Sequence, residues 1–428
     1  MRRSFFYGYV ILALCFLNMV VMRGVNGSFS VFYVALLEEF PWSHASGASI
    51  ASINFIVYAL ASPLVGLLFD RFGPRLLMPL GGALVSAGLF LSSFADSLGL
   101  LYFGYGLVAA LGQGALGFVS HGALISNWFA RRRATAIGIA TAGQGLGTFI
   151  MAPLTQVLIT QVGWRATYIF IAMLIFLAVV PVNAVFQRRS PEEVGQLPDG
   201  TDLAAAPHTS DHQVRRAVAR DWTLRQAFLS LPFWSITIGH LALGTALFMI
   251  NTHIVAHLVH NGFEKLLAAF GLGLLGFIRV GGTPLWGFVS DRLGRDKAYL
   301  VGTLIALAGL GCVVAVGRES PIWLLYVSVV LYGVGHSAGN PTYGALIGDI
   351  FSGRKVGLIF GFLEISFGLG SALGAWLGGF LFDVTGSYRW PFSLCLIAFT
   401  ISYLAVHSSL VWQAQQSMAQ QKTAPSPA

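Results

Sequence analysis

The 428-residue sequence predicts an all-α integral membrane protein, with twelve transmembrane helices in two pseudo-symmetric six-helix bundles. Three observations predict it. Only 10% of the residues are charged and 56% are hydrophobic, whereas soluble domains carry roughly 25% charged residues. Apolar stretches recur twelve times, each close to the ~20 residues that a helix needs to cross a ~30 Å hydrocarbon core. One loop pattern also appears twice, at equivalent places in the two halves, which is the mark of a duplicated bundle.

The composition excludes a soluble enzyme, because the charge needed to cover a polar surface is missing and the mean hydropathy is +0.73. The formal charge of +8 does not point to nucleic acid. Its basic residues form short clusters between apolar runs, not one basic face, so topology explains them better. Cys15, Cys312 and Cys395 stand alone inside apolar segments. They have neither disulfide nor thiolate-metal spacing and read as small hydrophobes. No metal site and no cofactor is expected.

The twelve predicted spans are 7–34, 46–69, 76–94, 99–127, 134–160, 166–186, 232–258, 267–290, 297–316, 321–349, 355–382 and 389–411. The first begins just after Met1-Arg2-Arg3 and is longer than a signal-peptide core, so it reads as a retained helix. Residues 1–186 form the N-terminal bundle and 232–412 the C-terminal bundle. Between them, 187–231 holds Pro191, Pro198 and Pro207 with six arginines and six acidic residues, which marks a polar cytoplasmic linker. The Gln-, Ala- and Pro-rich tail 413–428 is predicted to be disordered and cytoplasmic.

Orientation follows from Lys and Arg. Nineteen lie on the side of the termini and linker, Arg131, Arg132, Arg354 and Lys355 among them; Arg165, Lys265, Arg318 and Arg389 lie on the other. The positive-inside rule therefore places both termini in the cytoplasm.

The repeated loop is Gly66-Leu67-Leu68-Phe69-Asp70-Arg71-Phe72-Gly73-Pro74-Arg75, which returns as Gly287-Phe288-Val289-Ser290-Asp291-Arg292-Leu293-Gly294-Arg295. Its glycines are expected to let helix ends approach, and Asp70, Arg71, Asp291 and Arg292 to form charge-assisted bonds with helix termini, as gating loops on the cytoplasmic face.

These paired loops and the six-plus-six layout resemble the major facilitator superfamily. Within it, Ser30-Val31-Phe32-Tyr33, the stretch from Tyr105-Gly106 to Gly114, Trp128-Phe129-Ala130-Arg131-Arg132-Arg133-Ala134, Gly138, Gly143, Pro153 and Gly163-Trp164-Arg165 resemble the monocarboxylate transporters and their oxalate-formate exchanger relatives. The resemblance implies two bundles rocking about a central cavity lined by the first, fourth, seventh and tenth helices, with help from the eighth and eleventh. It also implies a Lys in the first helix and an Asp and Arg in the eighth. This sequence departs there: Gly27 holds the Lys position with Arg23 one turn earlier, Arg279 holds the Asp position and Thr283 the Arg position.

Ionisable residues within a membrane are costly and mark function by default. Arg23 lies ~24 Å along the first span, Arg279 ~18 Å along the eighth and Glu364 ~14 Å along the eleventh, at about 1.5 Å per residue. A buried arginine keeps its charge and needs a carboxylate, water or an anionic ligand. Arg279 is therefore expected to bind a substrate carboxylate bidentately, and Glu364 to carry or gate the proton. An ion pair between Arg279 and Glu364, and a packing role for Arg23, are the structural alternatives. His121 and His336 fall in cavity-lining helices, where each either meets substrate or bonds a neighbouring helix. Asn26, Tyr58, Gln144, Asn340 and Tyr343 complete the expected pocket. His253, His257 and His260 have helical spacing but no carboxylate partner, so they do not read as a metal face.

Small-residue ladders (Gly143 and Gly147; Gly335 and Gly339; Gly344 and Gly348; Gly370, Gly374 and Gly378) permit close helix approach. Gly112-Gln113-Gly114-Ala115-Leu116-Gly117 and Gly271-Leu272-Gly273-Leu274-Leu275-Gly276 fit a dinucleotide fingerprint, and Gly335-His336-Ser337-Ala338-Gly339 fits a nucleophile elbow. Both need a preceding strand, and here all lie inside membrane spans. With no Walker loop, a gradient is the expected energy source.

The sequence thus reads as a monomeric inner-membrane secondary transporter of small organic anions, with monocarboxylate and proton symport as the leading form. An anion exchanger or a carrier of larger aromatic acids, vitamins or drugs is the alternative in the same class. A transport-dead sensor and a membrane-embedded enzyme are alternatives of other classes.

Overall fold

The computed structural model describes residues 5–129, 133–200, 222–351 and 356–423. Arg131, Arg132, Arg354, Lys355 and linker residues 201–221 lie outside the described residues. No strand occurs among those described; nearly all are helical.

The N-terminal bundle comprises α1 (Gly8–Glu39), α2 (His44–Phe72), α3 (Pro74–Ser92), α4 (98–128), α5 (133–162) and α6 (164–186). The C-terminal bundle comprises α7 (Leu231–His260), α8 (Lys265–Leu293), α9 (Arg295–Ala315), α10 (Ile322–Ile350), α11 (Val356–Thr385) and α12 (Arg389–Thr423). The ends follow local chemistry. Phe40, which precedes Pro41, is extended at ψ 140° and stops α1, since a residue before proline is pushed out of the helical region. Ser43 then caps α2 by accepting the Ser46 N–H at 3.1 Å.

The duplicated loop turns on its glycines: Gly73 at φ 74° and Gly294 at φ 89° occupy a region that other residues avoid. Each joins two helices without a linker. Gly163, at φ 77°, does the same between α5 and α6.

Two helices are broken where the chain lines the interior. α4 passes through a π-helical stretch, Tyr102–Ala109, and is interrupted at Gly117. α10 is interrupted between Ile322–His336 and Gly339–Ile350. The tail expectation needs correction at its start, because α12 carries the helix through Thr423. Residues Gln413 to Thr423 contain no proline and are mostly Gln and Ala, with one Met and one Lys, all of which favour helix; the first proline is Pro425.

Leu60, Leu64 and Leu67 on α2, and Phe170, Met173 and Leu177 on α6, are exposed at spacings of three and four, an apolar outer face suited to lipid. Inside the N-terminal bundle, Asn18 and Asn183 exchange amide hydrogen bonds of 2.9 Å in both directions. Inside the C-terminal bundle, the Tyr299 and Tyr343 hydroxyls lie 2.6 and 2.9 Å from Ser402 Oγ.

The bundles meet from mid-membrane to the end away from the termini, here the distal end. There the Asp383 carboxylate of α11 accepts the backbone N–H groups of His44 and Ala45, both at 2.8 Å, and lies 3.1 Å from His44 Nδ1. Lys265 pairs with Glu38 at 2.6 Å. Ser30 donates to the Thr252 carbonyl at 2.9 Å, and Ser52 to the Ala372 carbonyl at 2.7 Å. Near mid-membrane, Gly145 abuts Gly276 and Val280, and Gly368 abuts Ala59. Beyond these pairs, toward the terminal end, no hydrogen bond or ring contact among the described residues joins α2 to α11 or α5 to α8. Among the described residues, the bonds that seal the bundles together lie in the distal half, and none lies at the terminal end.

Candidate binding cavity between the bundles

Where the seal ends, one cavity lies between the bundles. Its mouth included, it holds about 380 Å³ of space free of protein atoms. α1 contributes Arg23, Asn26 and Gly27, and α5 contributes Thr148; α7 adds Phe248 and Asn251, α8 adds Gly276 and Arg279, and α10 adds His336. Four of the residues expected from sequence therefore converge: Arg23, Asn26, Arg279 and His336.

Both arginines reach the cavity without a protein counter-ion. Arg23 places Cζ 5.0 Å from the ring centroid of Phe248, a contact that crosses from one bundle to the other. Neither guanidinium makes a hydrogen bond or ion pair among the described residues, and each is within electrostatic reach of the other and of Tyr332. No Asp or Glu lines the cavity. The donor set is two planar forks of five N–H groups, one from each bundle, facing a space that holds no protein anion. Such forks match carboxylate or phosphate oxygens bidentately.

Gly27, at the position where the resemblance implies a lysine, lines the same cavity. A Cβ there would meet Thr148 Cγ2 at 3.0 Å and Oγ1 at 3.2 Å.

Other expected pocket members lie elsewhere. His121 is buried within the N-terminal bundle, where Nδ1 donates to the Gly117 carbonyl at 2.8 Å and Nε2 lies 3.2 Å from Asn18 Nδ2. Tyr343 is turned into the C-terminal bundle toward Ser402, its ring 4.2 Å from that of His240. Gln144 donates to Met19 Sδ at 3.4 Å and is not among the lining residues. Asn340 is exposed, and Tyr58 sits near Gly117; neither lines the cavity.

Glu364 also stays outside, and the alternative pairing with Arg279 is absent. It lies four residues from Gly368 and so shares that residue's face of α11, one turn nearer the terminal end. It has no hydrogen-bond or ion-pair partner among the described residues.

The gating loops differ from expectation in detail. Arg292 lies over the Phe288 ring at 4.2 Å and Arg71 over Phe72 at 5.2 Å, each within its own helix rather than on a helix terminus. Asp291 pairs with Arg295, which also reaches Asp349 at 3.2 Å. Gly66 touches nothing within 4 Å, and Gly287 only approaches Pro341 at 3.9 Å, so neither is a close-approach point here. The Asp70 side chain lies outside those described.

Sequence reasoning missed Asn251, Thr148 and Phe248. Asn251 had a usable signal, as a lone amide inside an apolar span like Asn26. Thr148 and Phe248 had none, since such residues fill many membrane helices.

With this geometry in hand, likeness to known proteins is decisive at the level of family. The profile described as Major Facilitator Superfamily matches residues 14–283 and 276–426. The chain belongs to the major facilitator superfamily. Within that superfamily it is related to the monocarboxylate transporters. It is 30% identical to monocarboxylate transporter 13 of Bos taurus over 386 residues, 90% of this chain and 85% of that one. It is 29% identical to monocarboxylate transporter 12-B of Danio rerio over 416 residues, 94% and 87% of the two chains. Among solved structures, a bacterial homologue of the human lysosomal transporter Spinster, inward-facing and unoccupied, superposes with a TM-score of 0.72 at 16% identity, covering 99% of each chain. This facilitator is thus a multi-pass membrane transporter.

Proposed function

We propose that this facilitator moves small organic anions by alternating access, with monocarboxylate and proton symport as its mode. One observation carries the reading: two unpaired guanidiniums, one from each bundle, line a single cavity between the bundles. An anion bound there touches both rocking bodies, so its binding energy can be coupled to their relative motion. The relatives' name supplies the class, monocarboxylates.

The proton is assigned to Glu364, an unpaired carboxyl on the cleft face of α11. It would act by protonating in the cleft rather than by touching the substrate. We place the terminal end in the cytoplasm of an inner membrane, by the positive-inside count.

The test is reconstitution into liposomes holding a pH dye, with lactate, pyruvate, benzoate and oxalate added in turn. Undissociated acids cross bilayers unaided, so the signal is the difference between wild type and Arg279→Gln. Acidification by monocarboxylates in wild type alone supports symport. Anion uptake without a pH change would replace symport by exchange. No difference for any acid, in pH or in anion uptake, would overturn the anion reading.

A further inference from the structure

An anion alone leaves several groups of this cavity idle. The Asn26 amide has no hydrogen-bond partner among the described residues, and its Oδ1 is closed off from water. Asn251 likewise makes no hydrogen bond among them. His336 directs Nδ1–H to the Tyr332 carbonyl at 3.3 Å, with its ring stacked on Tyr332 at 4.9 Å between centroids. That leaves Nε2 as an acceptor with no donor. Thr148 spends its hydroxyl hydrogen on the Gln144 carbonyl at 3.3 Å, so its oxygen too is left to accept.

A carboxylate offers only acceptors, which suit Arg23 and Arg279. It cannot serve His336 Nε2, Thr148 Oγ1 or the Asn251 amide oxygen, and a polar atom left unserved on binding weakens the complex. An ammonium would supply donors, but two neighbouring guanidiniums repel it. Hydroxyl groups supply donors without charge.

We propose that the substrate is a carboxylate bearing several hydroxyl groups, the chemistry of a sugar acid. The inference rests on the anion reading above and narrows it.

The test compares gluconate, hexanoate and lactate by titration calorimetry on the purified full-length protein in detergent. Gluconate and hexanoate share a six-carbon chain and differ in hydroxyls. The expected result is gluconate binding at least about tenfold tighter than either hexanoate or lactate. Asn251→Leu and His336→Phe should lower that gluconate-to-hexanoate ratio toward one, whereas Arg279→Gln should weaken both acids together. Hexanoate or lactate binding as tightly as gluconate in wild type, with both lost in Arg279→Gln, overturns this inference and leaves the anion reading standing. No binding of any of the three acids overturns both. Should a variant fail to fold, the wild-type ratio decides.

Discussion

A single guanidinium in a membrane interior is tolerated only when something meets its five donors, and in this chain the protein does not. Arg279→Gln should therefore lower anion kcat/KM by at least about 100-fold, in line with loss of a charge-assisted bidentate contact. Arg279→Lys keeps charge without the fork and should fall between, as radiolabelled uptake would show. The buried Asn18 makes the opposite kind of prediction. It is tied to Asn183 and lies beside His121 and Met78, away from the cavity. Asn18→Leu should cost about 1–3 kcal/mol in unfolding free energy by leaving its partners unserved, yet leave anion affinity within about twofold. These residues also show the limit of reading sequence. Arg23, Arg279, Asn26 and His121 all stood out as polar groups in apolar spans. Whether each faces the cavity or a neighbouring helix depends on a rotation about the helix axis that the sequence alone does not carry.

Helices in this fold are held by backbone contact at glycine, and only some of the ladders take part. Gly335 abuts the Ala306 backbone and the Gly302 carbonyl, Gly147 abuts Val20, and Gly370 and Gly374 abut Leu241 and Thr245. Gly344 and Gly348, with the same spacing, meet nothing within 4 Å. Gly335→Val should thus lower stability by about 1–3 kcal/mol through overpacking, while Gly344→Val should leave the thermal midpoint near wild type. At the distal seal, Asp383 of α11 satisfies two free N–H groups at the start of α2, a capping bond made between bundles rather than within one. Outward opening must break it. Asp383→Asn should weaken the seal, and spin labels at Ser97 and Arg318, both exposed, should report a larger share of long distances by electron-electron resonance in the variant than in wild type.

For the transporter as a body, the testable property is which end lets water in. Ser62 lies three residues from Ala59 on α2, just past the last close contact with α11, whereas Ser52 is buried in the seal and bonded to the Ala372 carbonyl. In a background lacking Cys15, Cys312 and Cys395, an impermeant maleimide should label Ser62→Cys from the terminal end. It should not label Ser52→Cys from the distal end. The reverse pattern would show that the resting protein opens at the distal end.

The all-α membrane class and its run of apolar spans were legible from residue order, because lipid allows only one response to a run of ~20 apolar residues: a helix that satisfies its own backbone. The duplicated loop was legible for a similar reason, since Gly73 and Gly294 answer a local backbone demand. What the tertiary structure decided is non-local. Convergence of Arg23 and Arg279 from two bundles, exclusion of Glu364 from their cavity and the seal at Asp383 all depend on how helices hundreds of residues apart rotate and tilt against each other. In an apolar solvent those choices rest on close packing and a few interhelical hydrogen bonds, and neither hydropathy nor spacing within one helix records which neighbour that packing will select.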